Sequence, residues 1–142
     1  MGKKKTILAI DDILPNLSII KNILEGPFEI CLAKSADTAS LILKTNKIDL
    51  ILLDIEMPDI SGFDYLKQLQ ESPKYRHIPV IFVTSHATKD FFVEAMNAGA
   101  KDFIVKPISA PILMEKINAV FEAGDHGGGP DKGKTAGEKK GR

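Results

Sequence analysis

The sequence predicts a doubly wound α/β fold: a five-stranded parallel sheet with five helices distributed over both faces. Three observations predict it. Five short apolar runs alternate strictly with five longer amphipathic ones, and that alternation builds a parallel sheet covered on both sides. The third and fourth runs, Leu50-Ile51-Leu52-Leu53 and Val80-Ile81-Phe82-Val83, are almost continuously apolar, as strands buried on both faces must be. The 142 residues have the length of one globular domain, and 44% of them are hydrophobic, enough for a core.

The strand candidates, in order, are Thr6–Ile10, Phe28–Ala33, Asp49–Asp54, Val80–Thr84 and Asp102–Val105. The first helix is marked by Leu17, Ile20 and Leu24 at i, i+3 and i+7 and is stopped by Gly26 and Pro27. Ala39, Ile42 and Leu43 mark the second. Ser61-Gly62-Phe63-Asp64 has the form of a capping box and opens the third. Phe92, Ala95, Met96 and Gly99 give the fourth, and Leu113, Ile117, Val120 and Phe121 the fifth. At residue 124 the composition changes to Gly, Lys, Asp and Glu with Ala136 as its one apolar residue. Residues 1–123 are therefore expected to fold, and 124–142 to form a Gly/Lys-rich disordered tail or linker.

Net charge is zero, but unevenly placed. Of the 19 basic and 19 acidic residues, three lysines precede Thr6, and five basic and three acidic residues follow Ala123. That leaves 11 basic and 16 acidic between them, a net of −5. Such a domain repels phosphate backbones, which argues against direct nucleic-acid binding. No apolar run approaches the roughly 18 residues of a membrane span, and the basic start leads straight into a strand rather than a signal peptide. Cys31 stands alone and can form neither an internal disulfide nor a metal cluster, so it reads as a core residue. A cytoplasmic protein without membrane attachment is expected.

In a doubly wound sheet, ligands sit at the carboxyl ends of the strands. The first strand ends in Asp11 and Asp12, the third in Asp54, the fourth in Thr84 and Ser85, the fifth in Lys106 followed by Pro107. One sheet edge thus gathers three carboxylates, a hydroxyl and an ammonium. At an effective dielectric near 20, each pair of carboxylates about 4 Å apart costs on the order of 4 kcal/mol. A hard divalent cation relieves that repulsion, and an all-oxygen site suits Mg2+. An aspartate beside such a cation, a lysine and a hydroxyl can receive a phosphoryl group.

Taken together, Asp11-Asp12, Asp54-Ile55-Glu56-Met57-Pro58 with Gly62, Thr84-Ser85, Ala98-Gly99-Ala100 with Asp102-Phe103, and Lys106-Pro107 resemble the receiver domain of bacterial response regulators, over roughly Lys4 to Phe121. The resemblance implies the flavodoxin-like strand order 2-1-3-4-5. It implies that Asp54 is the phosphoacceptor, and that Asp12, Asp54 and the backbone carbonyl of Glu56 hold Mg2+, with Asp11 acting through water. It further implies that Thr84 and Lys106 bind phosphoryl oxygens, that the Lys106–Pro107 bond is cis, and that Phe103 is the aromatic that moves with Thr84 on phosphorylation. The resemblance also implies that Glu56 and His86, positions at which the family varies, flank the phosphoryl group and influence its hydrolysis.

Partners implied are a sensor histidine kinase or histidine phosphotransfer protein as donor. A downstream protein or a second copy is implied on the face of the fourth helix, fifth strand and fifth helix, with Asp90, Glu94, Lys101 and Ile112 among its candidates. Such a domain catalyses only its own phosphotransfer and dephosphorylation and is no turnover enzyme.

Each residue also has a plainer reading. Asp11-Asp12 alone suits a helix start, Thr84-Ser85 a cap of the next helix, and Phe103 a core position. Three motifs are set aside. Gly128 to Thr135 fits a phosphate-binding loop but lacks the preceding strand. Asn16-Leu17-Ser18 is a glycosylation sequon in a chain with no export signal. His77, His86 and His126 have no metal-ligand spacing. Two other functions compete: a haloacid-dehalogenase-type phosphatase, for which Asp54-Ile55-Glu56 offers the acid pair but no cap domain follows, and a receiver-like interaction module that works without phosphorylation.

Overall fold

The computed structural model describes residues 3–86 and 88–127. It divides into two units, one running to Ala110 and one from Pro111, each described by itself. The first holds β1 (Thr6–Ile10), α1 (Leu14–Leu24), β2 (Glu29–Ala33), α2 (Ala36–Thr45), β3 (Leu50–Asp54), α3 (Gly62–Gln70), β4 (Val80–Thr84), α4 (Lys89–Asn97) and β5 (Asp102–Val105). The second is α5 (Ala110–Gly127). All strand pairs are parallel, in the order β2-β1-β3-β4-β5. This is the doubly wound, flavodoxin-like arrangement expected from the sequence. The chain steps outward from β1 to β2, then returns past β1 to build β3, β4 and β5. That reversal leaves a crevice above β1 and β3, where no connection crosses.

Burial explains the strand composition. Every residue of β3 and β4 is buried, whereas the edge strands β2 and β5 are largely half-buried. On one face Leu8, Ile10, Ile51, Leu53, Val80 and Phe82 pack with Ala39 and Leu43 of α2, Tyr65, Leu66 and Leu69 of α3, and Ala95 of α4. The alternate strand residues Ile7, Ala9, Leu50 and Leu52 point the other way, the side on which α1 buries Leu17, Ile20 and Leu24.

The helix starts are fixed by short polar side chains. Ser35, Ser61 and Thr88 each accept from a backbone N–H three residues on, opening α2, α3 and α4. Thr84 and Ser85 are thus not the cap of α4, which removes their plainer reading.

Two expectations differ in detail. The apolar stripe assigned to α4 is rotated: Ala95 is buried and Phe91 half-buried, while Phe92, Val93 and Met96 are 42%, 47% and 36% exposed. Consecutive apolar residues at 91–93 make the 3.6-residue period ambiguous, and Phe91 wins by packing on Phe63 and Phe82 with ring centroids 5.8 and 6.3 Å away. In the second unit, Leu113 and Ile117, one turn apart, are buried, and the helix continues to Gly127, beyond the expected boundary at 124. One glycine near the end of a long helix costs only about 1 kcal/mol relative to alanine, too little to stop it. The rest of the tail, including Gly128 to Thr135, lies outside the described residues. Among the described residues, no helix is long and apolar enough to cross a membrane.

Candidate functional site

Three polar or charged residues of the described chain are buried: Asp11, Asp54 and Thr84, at 1%, 5% and 2% exposure. All three stand at carboxyl ends of adjacent central strands. Burying polar groups is costly unless they are paired or have work to do. Asp12, Asp54, Glu56, Thr84, Ser85 and Lys106 line a single open cleft of ≈ 590 Å³, with Ile13, Asn16 and Pro107 completing its wall. It occupies the crevice at the chain reversal.

Lys106 follows β5, and its ammonium lies 3.0 Å from Asp11 Oδ2 and 3.3 Å from Asp54 Oδ1. Its peptide bond to Pro107 is cis. Asp11 is further held by the N–H of Ile13 at 2.9 Å and by the side-chain amide of Asn16 at 3.1 Å. Through the Ile13 contact Asp11 also steadies the entry to α1, whose own N-cap Ile13 offers no side-chain bond. Asp11 thus supports the start of α1 and pairs with Lys106 at once.

Asp12 projects exposed into the cleft. One ligand oxygen from each of Asp11, Asp12 and Asp54 can lie within 4.8 Å of the others, the one group of this kind among the described residues. Among the described residues, His77 and His86 take no part in such a group.

The loop after β3 is shaped by Gly62. Its N–H donates to Ile55 O at 2.7 Å, and a Cβ there would stand 2.6 Å from Asp54 O and 2.8 Å from Ile55 Cα. Any side chain would push the loop away from Asp54 and Ile55.

Electrostatics single out Asp54. Burial pushes its carboxyl up to about 6, and the Asp11 carboxylate adds to the rise; Lys106 and the backbone N–H of Glu56 pull the other way without winning. Burial lowers the Lys106 ammonium, but Asp11 and Asp54 outweigh it and the net direction is up. One ammonium thus faces Asp11 and Asp54 with the Asp12 carboxylate beside them, and negative charge is left in excess. Two of these carboxylates are nearly sealed from water. Such a donor set, all oxygen and over-charged, fits a hard divalent cation such as Mg2+.

The remaining expected residues are also placed. Thr84 Oγ1 accepts from His86 N at 3.0 Å and donates to His86 O at 3.3 Å, keeping the hydroxyl at the cleft wall. At the mouth, His86 Nε2 lies 3.4 Å from Glu56, both exposed. Phe103 pairs with Phe82 in register and is half-buried, its ring 5.8 Å from Phe91 and 5.3 Å from Phe92. Asp90, Glu94 and Lys101 are exposed in the first unit, and Ile112 is exposed in the second. Cys31 is half-buried with its thiol pushed up by burial, in keeping with a core residue.

Asn16 is the site residue that sequence reasoning missed. The sequence marks it only as part of a sequon, yet its amide donates to Asp11. The available signal was its place in the first turn of the helix that follows Asp11-Asp12.

A family model described as response regulator receiver domain matches residues 7–118. The chemotaxis protein CheY of Pseudomonas aeruginosa is 36% identical over 118 residues, which cover 82% of this chain and 95% of that protein. A probable cyclic di-GMP phosphodiesterase of Vibrio cholerae is 36% identical over 113 residues, but the match spans only 26% of its length. The crystal structure of a CheY-like receiver domain protein from Methanospirillum hungatei aligns with a TM-score of 0.78 at 30% identity, over 87% of this chain and 98% of that one.

Proposed function

Because the chain belongs to the response regulator receiver domain family, we propose that it is a phosphorylation-activated switch whose Asp54 takes a phosphoryl group from a partner's phosphohistidine. The observation that carries this reading is Asp54 itself: a buried carboxylate at the chain reversal, raised to about 6 and flanked by Lys106 and two further aspartates. In the transfer, Asp54 Oδ attacks phosphorus as the P–N bond of the donor breaks, and the electron pair leaves with the imidazole. The product is an acyl phosphate on Asp54. Lys106 leaves its place between the carboxylates to meet one phosphoryl oxygen, and the Thr84 hydroxyl turns from His86 to donate to another. Mg2+, held by Asp12, Asp54 and the Glu56 carbonyl with Asp11 through water, would neutralise the phosphoryl oxygens.

A histidine kinase or phosphotransfer protein is the proposed donor, and the protein works in the cytoplasm as a signalling module rather than a turnover enzyme. The family match leaves the haloacid-dehalogenase reading without support. A phosphorylation-independent module remains as the outcome a failed test would favour. The test is incubation with acetyl phosphate and Mg2+. Acid-labile phosphate should appear on Asp54 and should fail to form when EDTA is present from the start. Label that forms in EDTA, or maps to another residue, would overturn the assignment.

The signal is proposed to leave through Thr84 and Phe103. Drawing Thr84 toward the phosphoryl group vacates space beside β4, and Phe103 turns inward to fill it. That motion alters its contacts with Phe91 and Phe92, and hence the exposed α4 and β5 surface carrying Phe92, Val93, Met96 and Val105. Phosphorylation shifts a pre-existing equilibrium by its differential affinity for the two states. Amide NMR spectra should show shifts on α4 and β5 when beryllofluoride and Mg2+ are added, and these should shrink in Thr84→Ala. A far response undiminished in that variant would sink the route while leaving Asp54 as acceptor.

A further inference from the structure

Asp11 is 1% exposed, so its carboxylate depends on protein donors rather than on water. Among the described residues three donors meet it. The Ile13 N–H donates to Oδ1 at 2.9 Å, whereas the Lys106 ammonium and the Asn16 amide share Oδ2, at 3.0 and 3.1 Å. An ionised carboxylate only accepts, so the NH2 end of Asn16 must be the one that faces it. Charge-assisted bonds of this kind are roughly twice as strong as neutral ones.

The helix does not need this side chain for itself. With Ile13 as N-cap, Asn16 is the third helical residue of α1, the place from which a polar side chain commonly reaches back to the N-cap N–H. That N–H is already taken by Asp11. The backbone secures the first turn: Ile13 O accepts from Asn16 N at 3.0 Å and from Leu17 N at 3.4 Å, and Pro15 has no N–H to satisfy. Leu17 and Ile20, both buried, pin the turn to the core. Asn16 thus stands half-buried on a fixed backbone at the cleft wall, with its amide turned to Asp11.

The two donors to Oδ2 differ in what phosphorylation asks of them. Lys106 also lies 3.3 Å from Asp54 and, in the function proposed above, moves to a phosphoryl oxygen. Oδ1 then keeps the Ile13 N–H, and Oδ2 keeps Asn16 alone. A carboxylate held through one oxygen can pivot, whereas bonds to both oxygens fix its plane. We infer, on the basis of that phosphoacceptor reading, that Asn16 is a positioning residue: its amide holds Asp11 in place when Lys106 leaves for the phosphoryl group, so that Asp11 keeps its aim toward the Mg2+ site. An amide suits the task because it donates without adding charge. A lysine or arginine there would offset the negative excess that a divalent cation needs, and a carboxylate would add repulsion inside the cleft.

The test is a pair of amide NMR titrations of the full chain, with Mg2+ alone and then with beryllofluoride at saturating Mg2+. Asn16→Ala should weaken Mg2+ binding no more than about threefold, because Lys106 still holds Oδ2. It should weaken beryllofluoride binding about tenfold or more, the size of one hydrogen bond to a charged group. Pro15→Ala, exposed in the same turn, disturbs the helix start and should leave both affinities unchanged. Should Asn16→Ala fail to fold, judged by melting, Asn16→Leu decides by the same comparison. An unchanged beryllofluoride affinity in the variant, equal losses for the two ligands, or the same loss in Pro15→Ala would each overturn the inference while leaving Asp54 as acceptor. Wild-type protein that binds Mg2+ but no beryllofluoride would instead overturn the phosphoacceptor reading, and the role of Asn16 with it.

Discussion

Asp54→Asn is expected to abolish phosphate uptake from acetyl phosphate and, in the same protein without metal, to raise stability at neutral pH by about 2–3 kcal/mol. The loss of uptake follows from removing the attacking oxygen. The gain in stability follows from the carboxyl's own position, raised from 3.8 to about 6 by burial and Asp11. A group raised on folding favours the fold while protonated, below its unfolded value. That contribution is lost as the pH climbs through the folded value. Between pH 4 and 7 the wild type should therefore lose stability that the Asp54→Asn variant keeps, because the amide stays neutral throughout. The side chain is only 7% exposed, so solvent screening reduces this little. Urea unfolding in EDTA at pH 4 and pH 7.5 reads the effect directly. The two proteins should be nearly equal at the lower pH and separate at the higher, and saturating Mg2+ should narrow the gap by binding the wild-type site. A difference that does not change with pH would mean that the Asp54 charge is not what strains the folded state.

Much of this site was legible in the sequence because the fold makes position and chemistry coincide. Apolar runs end abruptly, and in a doubly wound sheet the first polar residue after each run must lie at the ligand edge. Asp11, Asp54, Thr84 and Lys106 are each such a residue, which is why four sequence-distant side chains could be placed together without coordinates. Asn16 escaped because it sits one helical turn past a strand end, where polar residues are common for other reasons. Its role depends on a rotamer aimed back at Asp11, and nothing in the spacing specifies that. The α4 face escaped because Phe91, Phe92 and Val93 satisfy more than one helical phase. Only the aromatic neighbours Phe63 and Phe82, contributed by other elements, decide which ring turns in. The continuation of α5 past Gly124 to Gly127 escaped because one glycine is a weak stop when no proline follows it immediately. In each case the missing information was tertiary.

Lys106→Ala is expected to destabilise the metal-free protein by about 3–5 kcal/mol near neutral pH, the range for leaving buried charge without its partner. The ammonium is the cation between Asp11 and Asp54, whose side chains are 2% and 7% exposed, and it is itself only 15% exposed. Without it, Asp11 retains the Ile13 N–H and the Asn16 amide, which are dipoles rather than a full charge. Asp54 loses one of the two influences that hold its carboxyl down, so that group rises above its present value of about 6. The sign with pH follows. Near pH 4.5 Asp54 is mostly protonated in both proteins and little repulsion is left to relieve, so the variant's deficit should be smaller there. It should widen as the pH rises to 7.5 and shrink when Mg2+ supplies the missing positive charge. Placing the same substitution in Asp54→Asn separates the two carboxylates: the deficit that remains belongs to Asp11, and the part that disappears to the Lys106–Asp54 pair. A deficit below about 1 kcal/mol at both pH values, the size of an exposed ion pair, would mean that water screens this cleft and that the pair does not hold the site together.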